Sequence, residues 1–291
     1  MIYTIKNEFL TVGIESRGAE LKSIRTADGT PYLWEGDDTY WSGSAPNLFP
    51  FVARLPEKSY YMDGKLWHMD IHGFTKSTEL EVTARSEGEI TFAYHESEET
   101  LTQYPRKFTY SVTYKLSGAV LKVLYTVSND DEREMIFGFG AHPGFNVPLD
   151  KDLEFTDYYI EYPEATAPVR VSFDESSLLR NGLDTEYPLE DARIRLRHDL
   201  FDDDAVVLYG AGRVARLASD KGSRSVTLRC PGMDYIGLWH AVKTDAPYVC
   251  IEPWTTLPGI DGHIPVFEEE PGLVHLAPGR IYENKLEIEI G

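Results

Sequence analysis

Short runs in which apolar and polar residues alternate recur along the chain. Residues 108–116 read Phe-Thr-Tyr-Ser-Val-Thr-Tyr-Lys-Leu, a period of two that sends every second side chain to the same face. Ser117-Gly118 then turns the chain into a second such run over 120–127, so two antiparallel strands are predicted there. Tyr60-Tyr61-Met62 and Leu66-Trp67-His68 flank Asp63-Gly64, residues suited to the positive φ angles of a tight hairpin turn. Similar runs at 79–84, 90–95, 135–139, 205–209, 225–230, 235–241, 248–252 and 285–290 predict further strands. A 3.6-residue period is almost absent, and only residues 98–103, before Pro105, suggest a short turn of helix. The pattern predicts an all-β protein with few short helices.

No long Pro/Gly/Ser linker, fixed repeat or low-complexity tract divides the chain, so residues 1–291 are expected to form one domain. At this length about 75% of the unfolded surface can be buried on folding, enough for one large core. Composition adds mainly exclusions. With 28 Lys+Arg against 48 Asp+Glu the formal charge is −20. A protein that neutralises phosphates needs clustered cations, and none occur, so neither nucleic acid nor a membrane surface is an expected partner. The N-terminal residues carry no basic segment followed by an apolar stretch, and no run of about 18 apolar residues occurs. Cys230 and Cys250 are the only cysteines, too few for a disulfide framework or a cysteine zinc site, and they suit a reducing cytoplasm.

Four segments combine polar side chains with dense Gly, Pro and aromatic residues: Asn47-Leu48-Phe49-Pro50-Phe51-Val52-Ala53-Arg54, Asp70-Ile71-His72-Gly73-Phe74, Gly140-Ala141-His142-Pro143-Gly144-Phe145-Asn146, and Cys250-Ile251-Glu252-Pro253-Trp254. Each reads as a strand end entering a rigid turn, where a side chain can be held over an open sheet face beside apolar platforms. Singly, each His or Glu reads as an ordinary hydrogen-bonded residue. In this order and together, the segments resemble the aldose 1-epimerase (galactose mutarotase-like) family over essentially the whole chain. Within it the sequence is similar to mutarotase-related proteins of bacterial lactose-utilisation operons, and its His-Pro-Gly-Phe segment is similar to that of hexose-6-phosphate 1-epimerases.

The resemblance implies a large antiparallel β-sandwich, or supersandwich, with an open cleft for a small sugar and no cofactor or metal. It makes His142 the general acid, Glu252 the general base, His72 a second histidine at the sugar ring and Arg54 a hydrogen-bonding ligand. Asp204 stands for the family's substrate-binding aspartate, taken from Asp202-Asp203-Asp204 because it directly precedes an apolar strand; the alternative is a solvated acidic loop. Trp254 is an expected aromatic wall. The chemistry suits these side chains, because exchanging anomers needs a base at the anomeric hydroxyl and an acid at the ring oxygen. Ordinary values of about 4.3 for Glu and 6.5 for His match those tasks, with neighbouring carboxylates expected to favour imidazolium.

Other readings stay open. His68 and His72 are four apart, but in an extended hairpin at about 3.3 Å per residue they lie roughly 13 Å apart, too far for one ion. His142, His72 and Glu252 can still meet around a metal, and Glu252 with an Asp can form a glycosidase pair. A catalytically silent carbohydrate-binding protein on the same fold is the alternative from another class. His142 is followed by Pro143-Gly144-Phe145-Asn146 and Glu252 by Pro253-Trp254, departures from well-characterised galactose mutarotases that leave the sugar open. Lys76 stands where the hexose-phosphate branch carries a basic residue, so it either contacts a phosphorylated sugar or is a solvated charge. His240 reads either as another cleft residue or, from its place in an alternating apolar strand, as a core histidine, while His95, His198, His263 and His275 lack a supporting constellation. A monomer and a homodimer are both compatible with the sequence.

Overall fold

The computed structural model describes residues 1–175, 178–270 and 272–291. Strands account for 45% of it and helix for 7%. A nine-stranded antiparallel sheet runs in the order Arg193–Arg195, Tyr158–Glu161, Val214–Ser219, Val226–Arg229, Ile281–Ile290, Val120–Asn129, Phe108–Ser117, Glu89–His95 and Glu81–Arg85. A second sheet runs from Thr185–Glu186 through Val169–Arg170, Val206–Tyr209, Tyr235–Trp239, Tyr248–Trp254 and Gly140–Ala141 to Asn47–Leu48, and Gly144–Asn146 also pairs with Tyr248–Trp254.

The expected alternation is what layers these sheets. Phe108, Tyr110, Val112 and Tyr114 all turn inward from one strand, and Leu286 and Ile288 do so from another. They belong to one apolar cluster with Val206, Leu208, Ile236, Leu238, Val249 and Ile251 of the second sheet. The other face of the second sheet carries Tyr248, Cys250, Glu252 and Trp254, which the period of two separates from Val249 and Ile251. All seven residues of Tyr248–Trp254 are buried, because the first sheet covers one face and loops cover part of the other.

The Asp63-Gly64 hairpin forms as predicted, with φ of 52° and 69° joining Ser59–Met62 to Lys65–His68. Asp63 also receives Arg106 Nη1 at 2.7 Å and Nη2 at 3.0 Å, which ties this hairpin to a buried arginine. The expected helical turn is the four-residue helix Glu98–Leu101, capped by Ser97, whose side chain accepts from the Thr100 N–H. The N-terminal strands Ile2–Lys6, Leu10–Glu15 and Leu21–Thr26 form a small sheet that the alternation did not single out. Its first strand contributes only Ile5 to the core, so its apolar pattern is weak.

Candidate functional site

A cavity of about 270 Å³ opens on the outer face of the second sheet, and all seven sequence-predicted residues line it: Arg54, His72, Lys76, His142, Asp204, Glu252 and Trp254. They come from five separate stretches of chain. Asn47 anchors the first by donating from Nδ2 to the carbonyls of Gly18 at 2.9 Å and Ala19 at 3.2 Å. Gly73 brings the second against it. Its φ is +67°, and a Cβ there would lie 2.2 Å from the Phe49 carbonyl oxygen, so only glycine permits this approach. His72 itself has φ of 66° and Ala53 of 56°, left-handed conformations that cost energy and are held by their surroundings.

His142 sits where a ladder is interrupted. Gly140 pairs with Trp254 and Gly144 with Cys250, while Ile251 donates its N–H to the Pro143 carbonyl at 3.0 Å. The intervening His142 therefore lies over Glu252, and its Nε2 is 3.1 Å from Glu252 Oε2. Glu252 is 2% exposed and His142 8%. Burial dominates both groups. It pushes the Glu252 carboxyl well above its ordinary value, with Asp204 adding repulsion and the Trp254 indole opposing the shift. It lowers His142 to about 3, partly offset by the residue's own backbone carbonyl. This corrects the expectation that carboxylates would favour imidazolium: desolvation outweighs them. Because the groups touch, they titrate as a pair.

His72 has a defined tautomer. The Ala53 N–H donates to its Nδ1 at 3.0 Å, so Nδ1 is the bare nitrogen and Nε2 carries the hydrogen. Burial lowers its pKa, and His142, Lys76 and Arg54 lower it further, leaving a neutral N–H donor whose ring lies 5.5 Å from that of His142. Asp204, with φ of 78°, pairs loosely with Arg54 at 3.9 Å. The remaining walls are apolar. Trp254 covers Gly140, where a Cβ would lie 2.7 Å from the indole. The sequence reading missed Trp41, whose ring lies 5.1 Å from that of His142, and passed over Trp239, edge-on to Trp41 at 5.6 Å. Trp239 shares the cleft face with Gly237 two residues earlier, a signal that alternation carried; Trp41 lies in a loop with no such signal.

His68 does not join the site, since its Nδ1 contacts Ser59 Oγ at 2.9 Å. His240 is buried, as expected for a core histidine, but His198 has a partner after all: its Nδ1 lies 3.1 Å from His240 Nε2. Among the described residues, the metal-type atoms that converge are those of His142, Cys250 and Glu252, all within 4.8 Å of one another, and Cys250 stands where His72 was expected. Burial pushes the Cys250 thiol well above its ordinary value, as it does the Glu252 carboxyl, and both protonated forms oppose coordination. A glycosidase pair needs two carboxyl groups free to face the sugar; here Glu252 contacts the His142 imidazole, and Asp204, the other carboxylate lining the cavity, pairs with Arg54.

The family model described as aldose 1-epimerase matches residues 1–289. The chain belongs to that family. It is 29% identical over 289 residues to the plasmid-encoded protein LacX of Lactococcus lactis, covering 96% of this chain and 95% of that one. Among solved structures, a galactose mutarotase related enzyme from Lactobacillus acidophilus superposes with a TM-score of 0.94 at 32% identity, covering 100% of this chain and 97% of the other. A galactose mutarotase-like protein from Lactobacillus casei does so at 0.93 and 34%, with full coverage of both chains. The architecture, with its two large antiparallel sheets, is thus the galactose mutarotase-like fold, and in this aldose 1-epimerase family member His142 and Glu252 line the cavity in contact with each other.

Proposed function

We propose that the chain interconverts the α and β anomers of a hexose or closely related sugar by ring opening and reclosure. The 3.1 Å contact between His142 and Glu252 carries this reading. The anomeric hydroxyl oxygen and the ring oxygen are both bonded to C1, so an acid and a base this close can face both at once. When the pair's single proton passes from Glu252 to His142 across their contact, the freed carboxylate of Glu252 takes the proton of the anomeric hydroxyl, the bond from C1 to the ring oxygen breaks, and the imidazolium of His142 delivers its proton to that oxygen. The open-chain aldehyde rotates about C1–C2 and closes by the reverse transfers. The single proton of the pair is enough for the cycle, which returns both groups to their starting state. His72 Nε2–H, Arg54 and Asp204 bind the remaining hydroxyls, and the tryptophans form the apolar platform.

Freshly dissolved α-glucose and α-galactose, followed by polarimetry or NMR, test the proposal. His142→Asn and Glu252→Gln are each expected to lower kcat/KM by about 10²–10⁴, with sugar binding retained by tryptophan fluorescence. A wild type no faster than buffer overturns the enzyme reading, and saturable binding without turnover then identifies a silent carbohydrate binder. A second reading, a hexose 6-phosphate as substrate, is favoured by one observation. Lys76 is half-buried in the cavity wall and forms no ion pair among the described residues, Asp70 being engaged by Lys58 at 2.7 Å. Running the same assay on 6-phosphorylated hexoses separates the two substrates.

A further inference from the structure

His198 and His240 lie outside the cavity-lining set and have no part in the proton transfers. His240 directly follows Trp239 and is fully buried. Its Nδ1 lies 2.8 Å from the Ala241 carbonyl. A carbonyl only accepts, so Nδ1 carries the hydrogen and Nε2 of the neutral ring is a bare acceptor. His198 Nδ1, 3.1 Å from that Nε2, is therefore the donor. The His198 ring also stacks on Phe155 with centroids 4.0 Å apart, and Phe201 packs against the His240 ring at 4.4 Å.

These contacts dock the single 3-10 turn His198–Phe201, which leads directly into Asp202-Asp203-Asp204. The Asp204 N–H donates to the Phe201 carbonyl at 3.2 Å. Two residues later Val206 pairs with Leu238. The segment carrying Asp204 is thus tied at both ends to one stretch of chain, at His240 and at Leu238, with cavity-lining Trp239 between them. The left-handed backbone of Asp204 between these ties is a conformation its surroundings impose.

We propose that His198 is a positioning residue: its N–H···N bond to His240 holds the Asp204 carboxylate at the cavity and thereby sets affinity for the sugar hydroxyls. This rests on the reading of the cavity as a sugar site. His198→Phe removes the donor while keeping an aromatic ring on Phe155. It is expected to raise KM, and the sugar Kd read by tryptophan fluorescence, about fivefold, the effect of losing one hydrogen bond. kcat stays within about twofold, since the His142–Glu252 pair is untouched. His198→Gln, whose amide retains an N–H, restores the wild-type Kd. Asp204→Asn raises Kd further, and adding His198→Phe to it has no additional effect, because both changes act through one carboxylate. Should His198→Phe fail to fold, His198→Met compared with His198→Gln reads the same bond. An unchanged Kd in the donor-less variant, effects that multiply in the double variant, or no restoration by Gln overturns the proposal while leaving the sugar site intact. A wild type that neither binds nor anomerises any sugar overturns the site reading, and this proposal with it.

Discussion

Burial moves Glu252 and His142 in opposite directions, and the difference has a measurable sign. In the unfolded chain Glu252 ionises in the ordinary carboxylate range, whereas in the folded protein it does so only well above that, chiefly through desolvation. Between those values the unfolded state binds fewer protons, so this residue lowers stability as pH rises through the window. Glu252→Gln removes that penalty and keeps a polar group beside His142. Its thermal midpoint relative to wild type is therefore expected to rise between pH 4.5 and 8, by about 2–4 °C for each ~1 kcal/mol relieved in a chain of roughly this size. Differential scanning calorimetry at the two pH values checks this, and a gap that shrinks with pH contradicts the assignment. His142, whose folded pKa is lowered, acts oppositely: its contribution is lost as pH falls below about 6.5. The pair was legible as two residue types suited to acid and base work. Their opposed shifts were not, because desolvation depends on neighbours that only packing supplies.

At the level of elements, the site depends on close approaches between segments distant in sequence. Gly73 and Phe49 are the tightest, and the approach sets where His72 stands. Gly73→Ala is expected to destabilise the protein by about 3 kcal/mol, combining a positive-φ penalty with a backbone clash. It should also weaken sugar binding more than a matched substitution at Gly64, whose Cβ would meet nothing within 4 Å. Urea denaturation and fluorescence titration of both variants provide the comparison. Strand Tyr248–Trp254 is the counterpart that alternation revealed well. Once Val249 and Ile251 turn to the core, Glu252 and Trp254 must share the opposite face. Period and turn chemistry are local properties, which is why the hairpin at Asp63-Gly64 and the strands on either side of Gly118 were readable. Trp41 was not, since a loop residue reaches His142 only through the path of the whole chain.

Across the whole molecule the formal charge of −20 has a mechanical consequence. Repulsion among carboxylates opposes compaction, and salt shortens its range from about 30 Å at 0.01 M to about 8 Å at 0.15 M. The thermal midpoint at pH 7 is expected to rise over that range. A fall would mean that surface ion pairs such as Arg229–Glu289 contribute more than the net repulsion. Among the described residues, no helix is long and apolar enough to cross a membrane. What the sequence determined by itself was the all-β architecture and its family, because alternation, turn residues and the four Gly- and Pro-rich segments are written in order along the chain. Only the tertiary structure decided that seven residues from five stretches line one cavity, that His142 and Glu252 touch, and that His198 has a partner. Those facts depend on how two sheets layer and where their connecting segments cross, and on the desolvation that follows, none of which is a property of any local stretch.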